Sequence, residues 1–173
     1  MNFRIFFLSI FFSSYAVFGQ SLNQIVFDES AQQEILYGYG TIDFFHEDSF
    51  NTWFTPTFNE YTPEKTVVDN LKSLVDGIAI RIVLGTWCSD SRREVPRFIK
   101  ILNEIDFPVE RLEIIGVNRQ KVAPEVGIME GYVDYVPTFI IFQNDVEIGR
   151  IIELPNKTLE EDLLEILTNK VLQ

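Results

Sequence analysis

One thiol is present in the 173 residues: Cys88 is the only cysteine. It lies in the run Trp87-Cys88-Ser89-Asp90-Ser91, just after an apolar stretch and just before residues with helical periodicity. A cysteine at the first turn of a helix meets backbone N–H groups without intrahelical partners and the positive end of the helix dipole. Both favour the thiolate, the form that attacks disulfides. Ser91 is three residues on, so it shares that helical face and its hydroxyl is placed to donate to the sulfur anion. Arg92 and Arg93 add positive charge, and Asp90 offsets part of it. Cys88 and Ser91 are therefore the candidate catalytic residues, and the chemistry is exchange at sulfur. His46 is the only histidine; with no second histidine and no serine elbow near it, a structural or surface role is expected. The sequence has no clustered His and Cys, no Gly-rich phosphate loop and no nucleotide fingerprint, so neither a metal nor a cofactor is expected.

The elements around Cys88 follow from periodicity. Thr62 and Pro63 signal the start of a helix, and Val67, Val68, Leu71, Leu74 and Val75 recur at helical spacing before Gly77. Ile78 to Leu84 is a nearly unbroken apolar run, as expected of a strand buried on both faces, and Gly85 and Thr86 end it. Val95, Phe98, Ile99, Leu102 and Ile105 form the stripe of a second helix that stops before Pro108. Leu112 to Val117 is another short strand. Asn118 to Tyr135 contains Pro124, Gly127 and Gly131, so a loop with one or two helical turns is expected. Thr138 to Phe142 and Val146 to Ile152, joined by Asn144 and Asp145, predict an antiparallel hairpin. Thr158 with Glu161 makes a capping-box pattern for a last helix through Leu159, Leu163, Ile166, Leu167 and Val171. Alternating helices and strands followed by a hairpin give an α/β fold with a mixed central sheet and helices on both faces.

Composition bounds what such a domain does. Residues 1–19 join one basic residue, Arg4, to an apolar stretch from Ile5 to Phe12 and then small and polar residues ending at Gly19, the order of a signal peptide. The apolar run is shorter than the roughly 20 residues a spanning helix needs, so export and removal are expected, with a periplasmic or extracellular location and no integral membrane segment afterwards. Residues 20–61 then form an aromatic-rich extension without sustained period, in which Asp48 is the expected cap of a short helix that Pro56 stops or kinks. Residues 62–173 form the main domain. The 26 acidic residues outnumber the 14 basic ones, which argues against nucleic acid as a partner. A single cysteine allows no internal disulfide, so apolar packing holds the core.

The segment around Cys88 resembles the thioredoxin active-site motif, Trp-Cys-x-x-Cys, with Ser91 in place of the second cysteine. Pro96 lies where thioredoxins place a kinking proline, and Val136-Pro137-Thr138 resembles their segment with a cis proline. The three pieces occur in that family's order between about Thr62 and Leu172, and the N-terminal extension is similar to those of exported thioredoxin-like proteins of Gram-negative bacteria. The resemblance implies a thioredoxin-like fold, with Trp87 shielding the strand end and Val136 and Pro137 meeting an extended substrate. Protein or low-molecular-weight thiols and disulfides are the implied partners. Ser91 cannot attack a mixed disulfide to form a new S–S bond, so the implied chemistry is monothiol exchange. The alternative is a peptide-binding or chaperone-like module that uses the same surface without turnover. Ile82 stands where many thioredoxins carry a buried acid, and Asp145 and Glu153 stand where they usually have glycines.

Overall fold

The computed structural model describes residues 21–169. The expected signal peptide and Val171 lie outside them. The strands are β1 (Ile25–Asp28), β2 (Gln33–Leu36), β3 (Gly38–Gly40), β4 (Ile78–Leu84), β5 (Leu112–Gly116), β6 (Thr138–Gln143) and β7 (Val146–Ile152). The helices are α1 (Asp48–Glu60), α2 (Lys65–Leu71), α3 (Ser89–Glu104) and α4 (Leu159–Asn169). β1 and β2 form a separate hairpin, while the other five strands make one sheet in the order β3-β5-β4-β6-β7. β4 and β5 run parallel, joined by α3 as the crossover, and every other neighbouring pair is antiparallel. This is the α/β arrangement with a mixed central sheet expected from the sequence.

The apolar run of β4 has one side chain in two on each face. Ile80, Ile82 and Leu84 join Ile114, Phe139, Ile141 and Ile151 under the helices, whereas Val83 joins Ile115 and Ile140 on the other side. Phe98 of α3 stacks on Phe139 of β6 with ring centroids 4.3 Å apart. Burying a side chain of this size contributes about 2–3 kcal/mol, so this pair fixes α3 firmly above the sheet. Buried side chains of all four α-helices belong to this one layer. The opposite face is covered by the segment after β5, which has the 3-10 turn Pro124–Val126 as its helical part. On this second face the helical part is this short 3-10 turn alone: Pro124, Gly127 and Gly131 interrupt an α-helix, and Val133, Val136 and Ile128 fill the face from a loop.

The segment before Tyr61 also departs from expectation. Instead of being irregular it holds three strands, and β3 extends the main sheet by pairing with β5, Tyr39 opposite Ile115. α1 starts from Glu47 as N-cap rather than from Asp48, and it continues through Pro56 to Glu60. Pro56 lies on the exposed side of that helix, where the carbonyl it leaves without an N–H partner faces water. The aromatics on the inner side hold the helix together: Phe45 stacks on Phe54 at 5.0 Å and Phe54 on Phe58 at 6.0 Å. α2 likewise starts later than Thr62, from Glu64, whose carboxylate accepts the Val67 N–H at 3.0 Å. His46 is exposed, with its ring edge against Phe54.

The β6–β7 turn keeps its shape without glycine. Asn144 and Asp145 have φ of +50° and +63°, the left-handed pair that a two-residue hairpin loop of type I′ demands. Asp145→Gly is therefore expected to raise stability by about 0.5–1 kcal/mol in urea denaturation, because glycine adopts that conformation without steric cost. A loss of stability would contradict this reading of the turn.

Candidate functional site

Cys88 is the N-cap of α3, with extended backbone at φ −90° and ψ 131°, and Ser89 is the first helical residue. Its amide donates to Gly85 O at 2.8 Å, and its carbonyl accepts from Arg92 N–H at 3.1 Å. The thiol is partly exposed and donates to the carbonyl of Val136 at 3.3 Å. The Val136–Pro137 peptide is cis, as the resemblance implies. Residues 48 positions apart in the chain thus meet at the sulfur. Val136 offers only backbone there, because its side chain is buried with Val83 and Ile140.

Trp87 is the anchor of this junction. Its indole N–H donates to Val117 O at 2.9 Å, at the end of β5. Its ring lies over Gly85: a Cβ added there would come within 2.4 Å of the indole. The glycine that reads in sequence as the end of a strand is therefore required by the close approach of the ring. Thr86, fully buried, accepts the Leu36 N–H of β2 on its hydroxyl at 3.2 Å. The loop carrying the thiol is in this way tied to the N-terminal hairpin.

Ser91 sits on the expected helical face but is 0% exposed, and its hydroxyl accepts the Gly85 N–H at 3.3 Å. The hydroxyl oxygen is engaged by the loop backbone, because the first turn of α3 folds against Gly85, and no hydrogen bond joins it to the sulfur. The charges divide as well. Arg93 is held by Asp90 at 2.7 Å and by the buried Glu94 at 2.5 Å. Arg92 is held by neutral oxygens, the carbonyl of Thr86 at 2.6 Å and the side chain of Gln33 at 2.8 Å, so its charge is not cancelled by a carboxylate among the described residues. Pro96 is buried inside α3 and Ile82 is fully buried beneath it.

Three contributors were not legible in the sequence: Gln33, Asp28 and Arg119. Asp28, at the end of β1, accepts the N–H groups of Ser30 and Ala31 on one oxygen and that of Arg119 on the other, at 2.7, 2.9 and 3.1 Å. Arg119 in turn places its guanidinium 4.8 Å from the centroid of the Trp87 ring. Desolvation alone would raise the Asp28 carboxyl, but those three amides and the Arg119 charge outweigh it and hold the group below its ordinary 3.8. Among the described residues no cluster of His, Cys, Asp and Glu is arranged to hold a metal, and no helix is long and apolar enough to cross a membrane.

No family model matches the chain, and no curated protein matches it. Among solved structures it is similar to a protein of unknown function from Pseudomonas aeruginosa, with 12% identity, a TM-score of 0.44, and coverage of 72% of this chain and 82% of that one. It is also similar to thioredoxin f2 of Chlamydomonas reinhardtii, with 18% identity, a TM-score of 0.36, and coverage of 60% and 91%. A thioredoxin of Malassezia sympodialis gives 24% identity, a TM-score of 0.33, and coverage of 58% and 83%. Likenesses this distant say nothing about reaction or substrate.

Two substitutions test the construction of the site. Gly85→Ala should cost about 1–3 kcal/mol and change the tryptophan emission, because the methyl displaces the indole; unchanged emission and stability would refute the close packing. Asp28→Asn tests the clamp through pH. A carboxyl held below its ordinary value binds protons less readily when folded, so its stabilisation is complete above about pH 4 and is lost as pH falls through the folded value. The native protein should therefore exceed Asp28→Asn in stability at pH 7, and the gap should shrink on acidification below 3.8. A gap that widens in acid would contradict the clamp.

Proposed function

We propose that the chain is an exported, thioredoxin-like protein that exchanges disulfides through one cysteine. The observation that carries this reading is the position of the Cys88 sulfur: partly exposed, at the N-cap of α3, 3.3 Å from the carbonyl that precedes the cis proline. The N–H groups of the first helical turn are placed to favour the sulfur anion. As thiolate it attacks one sulfur of a disulfide, forms the mixed disulfide on Cys88, and expels the other sulfur as thiolate. The proton of the resting thiol goes to solvent. An external thiol then releases the adduct, because Ser91 cannot. The signal-like residues 1–19 support export to the periplasm or beyond. Protein or small thiols and disulfides are the partners this chemistry takes.

A second reading, a peptide-binding or chaperone-like module, draws on the apolar rim by the proline. Tyr135, Ile152 and Leu154 are 55%, 47% and 49% exposed, and Glu153 N–H donates to Pro137 O at 2.7 Å, bringing the end of β7 to the same loop. Such a rim suits an extended apolar segment, with or without exchange.

Ser91→Cys separates the two. It puts a second thiol on the helical face of Cys88 and weakens the hydrogen bond from Gly85 N–H, at a cost of about 1 kcal/mol. The native protein should show no catalytic reduction of a protein disulfide on its own. The variant should gain it, and Cys88→Ser added to that variant should abolish the gain. A folded Ser91→Cys protein that stays inactive would favour the binding module.

A further inference from the structure

The chain is strongly acidic, with net charge −12, yet the ring of Trp87, the residue before Cys88, is capped by a cation. Arg119 is exposed and takes part in no ion pair with another described residue. The Asp28 carboxylate, with which Arg119 interacts electrostatically, already accepts three backbone N–H groups, one of them from Arg119 itself. The backbone of Arg119 is thus held in place while its guanidinium carbon lies 4.8 Å from the centroid of the Trp87 ring. Arg93, by contrast, is fully occupied by Asp90 and Glu94.

We propose that Arg119 is a specificity-determining residue that selects disulfides bearing a carboxylate close to the reacting sulfur. This rests on the exchange reaction at Cys88 described above. A planar guanidinium mounted on an aromatic ring offers a carboxylate two parallel N–H donors, and the stacking limits the freedom lost when the pair forms. On an acidic protein such an arm also counters the general repulsion of anionic substrates. A small peptide-like disulfide or an acidic segment beside a protein disulfide supplies the same chemistry.

The test measures exchange of reduced, full-length mature protein with two small probes, the dianionic dithiobis(nitrobenzoate) and the uncharged dithiodipyridine. Its readout is the ratio of the two rate constants. Arg119→Gln should lower the anionic-to-neutral ratio about three- to tenfold, Arg119→Lys should restore most of it, and raising the salt concentration should reduce the native ratio toward that of Arg119→Gln. Arg111→Gln removes the same charge at the start of β5, at the opposite end of the strand, and should leave the ratio as it is. If Arg119→Gln slows both probes equally, the residue merely steadies Trp87 and the proposal falls. It falls also if the ratio does not move. Failure of Cys88 to react with either probe would overturn the exchange reading itself and this inference with it. Competition by oxidised glutathione and by a disulfide-bearing acidic peptide then distinguishes the source: each should slow probe exchange more in the native protein than in Arg119→Gln if it is recognised.

Discussion

The arrangement depends on the packing of one indole at a strand-to-helix junction. Trp87 lies on Gly85 and donates to Val117 O, so the end of β4, the end of β5 and the start of α3 are joined through a single side chain. With that ring in place the chain passes through only Gly85, Thr86 and Trp87 between the strand and the N-cap of the helix, and the cap residue is Cys88. The sulfur is held at the surface of this junction by its contact with Val136 O. It cannot swing into solvent without losing the contact to Val136 O. Reactivity here is a matter of position: unpaired helical N–H groups on one side and a backbone acceptor on the other.

Around this junction the molecule has enlisted its N-terminal segment. Leu36 N–H bonds to Thr86, Gln33 receives Arg92, and Asp28 holds the amide of Arg119. A Cβ on Gly116 would fall 2.3 Å from the carbonyl of Leu36, so β2 lies directly against the end of β5. The hairpin therefore helps to set the positions of two arginines, Arg92 and Arg119, neither of which is in an ion pair with a described carboxylate. Further from the thiol, Tyr61 donates to the buried Glu160 at 2.6 Å, and burial together with that carboxylate drives its phenol far above its ordinary range. That pair secures α4 to the start of α2 through Glu64 N–H.

The sequence made the central elements legible because their signals are local. An apolar run bounded by glycine identified β4 to the residue, and the turn pair Asn144-Asp145 identified the hairpin β6–β7. The thiol, the proline opposite it and the helix between them could be placed from motif order alone. What could not be read were contacts between distant segments. Nothing about Asp28 or Arg119 indicates that 91 positions separate a carboxylate from the amide it holds. Ser91 was assigned to the sulfur from helical spacing, which fixes the face of a helix but not what the loop before it presents to that face. The extension was read as irregular because three- and four-residue strands are too short to show a period of two, and Pro56 weighed against a helix that ring packing sustains. On the second face of the sheet the glycines and proline of residues 118–135 shorten the helical part to one 3-10 turn, a length that layer patterning does not specify.

The central claim is that Cys88 carries chemistry and does not merely fill space. Its most direct test is intact-mass and peptide mass spectrometry of the protein taken from the cells that make it, quenched in acid and then alkylated. The account predicts a population bearing a disulfide adduct on Cys88 that dithiothreitol removes, with the remaining thiol alkylated readily in the folded state. A thiol that is wholly unmodified and resists alkylation until the protein is denatured would contradict it.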